Sequence, residues 1–127
     1  MSDERPDLAR LTIGLSTSEL RVPERVSPLP QGEPARRELA LGLVYVNAIA
    51  RAGGLPVILP PLPPSFAASL LDAVDGLCVP GGPDIHPRLY GQEPHAALGP
   101  TEDELDAFEV ALVTEALERD MPVLGIC

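Results

Sequence analysis

The sequence predicts a three-layer α/β domain whose mostly parallel sheet is covered by helices on both faces. Short, near-continuous apolar runs alternate with stretches of helical periodicity, the pattern of buried parallel strands and their crossover helices. Glycine and proline punctuate the ends of those runs. Right-handed crossovers would then bring the segments that follow the strands to one edge of the sheet.

Residues 1–10 read as a polar lead-in, and residues 11–127 as the N-terminal part of a single domain. Leu11-Thr12-Ile13-Gly14-Leu15-Ser16 is the first strand, short and rich in apolar and β-branched residues. Thr17 to Pro34 carries four prolines and no period, so it reads as a long loop at that strand's carboxyl end. Ala35 to Ala52 reads as one helix. Its apolar face is Leu39, Leu43, Val46, Ile49 and Ala50 at spacings of three and four, and Gly53-Gly54 gives it a left-handed stop.

Pro56-Val57-Ile58-Leu59 is the second strand. Ser65 is placed to cap a short helix to about Val74, and Asp75-Gly76 turns into the third strand, Leu77-Cys78-Val79. Pro80-Gly81-Gly82-Pro83-Asp84 and an irregular stretch to residue 100 follow that strand's carboxyl end. Thr101-Glu102-Asp103-Glu104 has capping-box spacing. It opens a helix to about Asp120 with Leu105, Phe108, Leu112, Val113, Ala116 and Leu117 as the buried stripe. Pro122 to Cys127 is the fourth strand, and the helix expected after it belongs to the rest of a larger domain.

Composition narrows the functional classes. The formal charge is −10, and all nine basic residues are arginine. So acidic a chain is a poor partner for nucleic acid or an anionic membrane surface. Without lysine there is neither Schiff-base chemistry nor a Walker-type phosphate loop, and 3% aromatic content leaves little to stack bases on. Met1 to Arg10 lacks the apolar core of a secretory signal, and Leu39 to Leu62 is too interrupted by Asn47, Arg51, glycines and prolines to span a bilayer. Cytoplasm is the default expectation, and with only Cys78 and Cys127 no disulfide scaffold is expected.

Cys127 is the leading chemical candidate. A thiol at the carboxyl end of a buried strand lies on the ligand-binding edge of an α/β sheet, and a following helix N-terminus would lower its pKa. The plainer alternative is a small buried hydrophobe. Gly81-Gly82 lets backbone approach a ligand without Cβ obstruction, so its N–H groups could hold an oxyanion; an ordinary tight turn is the alternative. Asp84, as a lone acid, reads as structural. His86 and His95 follow in the same loop. A Cys–His pair is a sound nucleophile and base, although loop histidines are usually just exposed. No group of residues has metal-ligand spacing, and no cofactor is expected.

Taken in order, these motifs closely resemble one family. They are Gly53-Gly54-Leu55-Pro56-Val57-Ile58-Leu59-Pro60, then Asp75-Gly76-Leu77, then Gly81-Gly82-Pro83-Asp84-Ile85 with Pro87 and Tyr90-Gly91. Asp106-Ala107-Phe108-Glu109 and Pro122-Val123-Leu124-Gly125-Ile126-Cys127 complete the set. The stretch from Leu11 to Cys127 resembles the γ-glutamyl-γ-aminobutyrate hydrolases of the class I glutamine amidotransferase superfamily.

The resemblance implies a flavodoxin-like fold and a cysteine hydrolase of γ-glutamyl amide bonds, with a place in polyamine and γ-aminobutyrate metabolism. Cys127 matches the family nucleophile. Gly81 and Gly82 match the loop that supplies one oxyanion donor, and the second donor is the residue after the nucleophile. The family's His and acid partners match nothing in these residues, so the 127 residues alone are expected to be inactive and poorly soluble. Leu105 stands where relatives often carry arginine, which bears on helix anchoring more than on catalysis. The partner implied is a small γ-glutamyl substrate, and the acidic surface leaves the oligomeric state open, a homodimer included. Two other functions stay open: a glutamine amidotransferase feeding ammonia to a synthase, and a non-catalytic α/β module that binds a small acid or a protein.

Overall fold

The computed structural model describes residues 10–17, 19–21, 37–81, 89, 91–93 and 103–126. Its main sheet has four parallel strands: β1 (Thr12–Leu15), β4 (Leu55–Ile58), β5 (Gly76–Val79) and β6 (Val123–Gly125). They lie in the order β4-β1-β5-β6, with β2 (Glu19–Arg21) and β3 (Glu38–Ala40) forming a separate antiparallel pair. Counted among the parallel strands alone, the order is second, first, third, fourth. That is the flavodoxin-like doubly wound arrangement, and its switch point falls between β1 and β5.

Helices α1 (Leu43–Arg51), α2 (Ala67–Leu71) and α3 (Asp103–Glu118) make the outer layers. Alternation along β1 separates the two faces. Gly14 faces Leu59 and Val74, and a Cβ on it would lie 2.8 Å from the Leu59 side chain. Ile13 faces the other way, toward Gly54, whose own neighbour is Ile49 of α1. The core therefore sits between the sheet and the α2–α3 layer, built on Leu59, Leu71, Leu77, Phe108, Leu112 and Ala116. Arg119 clasps that layer, donating to Asp72 at 2.6 Å, Glu115 at 2.9 Å and the Ala68 carbonyl at 2.9 Å. On the α1 face an apolar groove of about 430 Å³ opens over β5 and β6, lined by Ile13, Ile49, Cys78, Val123 and Leu124 among others. None of the described helices is long and apolar enough to cross a membrane.

Several boundaries differ from the sequence reading. The helix expected from Ala35 begins only at Leu43, and Glu38–Ala40 pairs with β2 instead. Gly42 sets the start: its backbone is extended, with φ −65 and ψ 129, and it serves as the helix N-cap. Leu39, counted on the helical face, is therefore an exposed strand residue. Ser65 makes no capping hydrogen bond, because Pro64–Phe66 is a 3-10 turn leading into α2. Gly53 does provide the left-handed stop, at φ 92, with Gly53 and Gly54 donating to Ala50 and Ile49. The same closure ends α3 on Asp120, at φ 56. Leu117, expected in the buried stripe of α3, is exposed, whereas Leu105 is buried. The proposed cap at Thr101 lies outside the described residues.

Candidate active site

Parallel pairing fixes which residues meet at the carboxyl edge. Leu15 pairs with Cys78, Cys78 with Leu124, and Val79 with Gly125. Two hydrogen bonds carry this register beyond the strand ends. The Ser16 N–H donates to the Cys78 carbonyl at 3.3 Å, and the Ile126 N–H donates to the Val79 carbonyl at 2.9 Å. Three chain segments thus leave the sheet side by side: Ser16-Thr17 from β1, Pro80-Gly81 from β5 and Ile126 from β6. The middle segment opens the Gly81-Gly82 loop, and the last leads directly into Cys127.

The β1 end is the most polar part of this edge. Ser16 and Thr17 are fully buried, two polar residues following the apolar strand. Ser16 Oγ donates to Glu109 Oε1 at 3.2 Å, which brings the second turn of α3 over the β1–β5 switch point. Thr17 Oγ1 is buried and has no hydrogen-bond partner among the described residues. Buried hydroxyls are nearly always paired, so this one is an available donor at a ligand-binding position. Asp106, one turn before Glu109, is also buried. Further out, Arg37 beside β3 grips Glu104 of α3 through a two-pronged ion pair, with Nη2 to Oε2 at 2.8 Å.

Of the residues picked from the sequence, Gly81 is described and lies at this edge after buried Pro80. Cys127, Gly82, Asp84, His86 and His95 lie outside the described residues. Cys78 is a free, buried thiol on the groove side, and burial pushes its pKa above the usual 9.0. It is a packed hydrophobe and no nucleophile. Sequence reasoning missed Ser16, Thr17 and the reach of Glu109. The signal available was two hydroxyl residues closing the first strand, and that pair is unremarkable until the strand order is known.

Relatives share this stretch. A protein of Mycobacterium tuberculosis provisionally named a glutamine amidotransferase is 47% identical over 85 residues, covering 65% of this chain and 28% of the relative. The γ-glutamyl-γ-aminobutyrate hydrolase PuuD of Escherichia coli K12 is 42% identical over 89 residues, covering 65% and 33%. The protein NtpR of Enterococcus hirae is 42% identical over 83 residues, covering 65% and 35%. The chain spans about a third of the length of the curated relatives it matches. The family model for peptidase C26 matches residues 29–127, from the approach to β3 through the loop after β5 to the second residue after β6. With this much of its length matched, the chain belongs to the peptidase C26 family.

Proposed function

We propose that the complete protein hydrolyses γ-glutamyl amide bonds with Cys127 as nucleophile. One observation carries the reading. Parallel pairing of β5 with β6 sets the entry to the Gly81-Gly82 loop beside the strand that leads into Cys127, next to the switch point. Oxyanion donor and nucleophile need that adjacency. The name of the E. coli relative supplies the bond type.

In this mechanism the Cys127 thiolate forms a C–S bond to the γ-carbonyl carbon. The tetrahedral oxyanion accepts hydrogen bonds from the Gly82 N–H and from the residue after the nucleophile. Collapse breaks the C–N bond, and the amine leaves after taking a proton. Water then attacks the thioester and releases glutamate and the thiol. Nothing in the sequence requires a cofactor.

Cys127→Ser in the complete gene product is expected to lower glutamate release from γ-glutamyl-γ-aminobutyrate by about 10³-fold or more. Retained activity would rule the mechanism out. The name of the mycobacterial relative supports a second reading, an amidotransferase that passes ammonia to a synthase. It requires glutamine to be hydrolysed only when a partner is present, so turnover of free substrate by the isolated protein excludes it.

A further inference from the structure

We infer that Arg10 and Arg51 form a binding site for a phosphate group at the amino edge of the sheet. The two residues meet because β4 is pinned to the start of β1. The chain leaving α1 turns at Gly53, with φ 92, and the Leu55 N–H then donates to the Leu11 carbonyl at 2.8 Å. That bond draws Arg10, the residue before Leu11, to the turn that carries Arg51, the last residue of α1. Both arginines line one cavity of about 260 Å³, together with Ala52, Gly53, Gly54 and Leu55. Ser16, Thr17 and Gly81 lie at the opposite end of the sheet, so the cavity needs nothing from the hydrolase reading.

Charge sets this pair apart. Acidic residues outnumber basic ones by 19 to 9, and Arg37 and Arg119 each hold a carboxylate. Arg10 and Arg51 make no hydrogen bond or ion pair among the described residues, and no acidic residue lines their cavity. The dipole of α1 accounts for one cation at its last turn, but not for a second from across the turn. The N–H groups of Ala52, Gly53, Gly54 and Leu55 are all used within the fold, so a ligand's oxygens find their donors on the guanidinium groups. Two planar forks from different chain segments suit a tetrahedral group with several acceptor oxygens. A phosphate carries about two negative charges near neutral pH, matching the pair, whereas a carboxylate carries one.

The test is calorimetry on the complete gene product, with inorganic phosphate and glycerol 3-phosphate titrated at matched ionic strength. Binding at about 1 mM or tighter is expected, and Arg10→Ala or Arg51→Ala is expected to weaken it about 10-fold or more. Arg51→Lys keeps the charge but loses the fork, and its affinity falls between. Tighter binding of the ester identifies a phosphorylated small molecule as the ligand, and tighter binding of inorganic phosphate identifies the free ion. Both arginines are exposed, so without phosphate the variants keep the parent's melting temperature, and added phosphate raises it only in the parent. Heat no different from that of sodium chloride, or an affinity unchanged in the double alanine variant, would overturn the assignment. Malonate bound as tightly as phosphate would overturn it too, by reducing the site to a place for any dianion.

Discussion

Asp75 shows how one side chain can tie two strands at their amino ends. Its carboxylate accepts from the Thr12 N–H at 2.8 Å and from the Thr12 hydroxyl at 2.9 Å, while its own N–H donates to the Thr12 carbonyl. The backbone bond, then the hydroxyl, hold its carboxyl below the usual 3.8, with burial opposing weakly. A depressed folded-state pKa stabilises the fold at pH values above the unfolded value. That stability is lost as pH falls from about 3.8 through the folded value. Asp75→Asn is expected to lower the melting temperature at neutral pH, with the gap from the parent closing in strong acid. A gap that stays constant down to about pH 2 would remove this group from the acid sensitivity. From sequence, Asp75 was only a turn former, since nothing local names Thr12 as its partner.

Elements were legible where the chain's own chemistry specifies them. β1, β4, β5, α3 and the glycine stop of α1 were all found close to their observed limits, because apolar runs and left-handed glycines act locally. The β2–β3 pair was not. Leu39 lies four residues before Leu43, so periodicity extended the helix backwards, but the β3 backbone finds its partners in β2, far along the chain. Packing is close where β1 meets the strand-to-helix segment after β4. A methyl group at Gly14 would stand 2.8 Å from Leu59 Cδ1 and 3.3 Å from Val74 Cγ1, both inside the core. Gly14→Ala is expected to cost about 1–3 kcal/mol through overpacking, measured by denaturant unfolding. A change within about 0.5 kcal/mol would mean that Leu59 swings aside freely.

At the scale of the molecule, the two faces of the sheet are finished to different degrees in these residues. The α2–α3 face holds a continuous core, whereas the α1 face opens into the apolar groove beside β6, where Leu124 is 60% exposed. Grooves of this character bind apolar probes or other chains. Residues 1–127 expressed alone are expected to bind a fluorescent apolar dye and to self-associate, with Leu124→Asp reducing both. A dye-silent monomer in sedimentation would contradict this. The same asymmetry organises the site, because α3 from the filled face sends Glu109 to β1 over the edge where Gly81 and the approach to Cys127 meet.

By itself the sequence determined the fold class, most strand and helix positions, and a family resemblance carried by ordered short motifs. These depend on local periodicity, turn chemistry and ordered short motifs. Only tertiary structure decided the strand order, the β1–β5 switch point and the convergence of Ser16, Thr17 and Glu109 upon it. Ser16 and Glu109 are 93 positions apart, and no local pattern encodes such a contact. It exists because parallel pairing places β1 beside β5 and buries α3 against the same face.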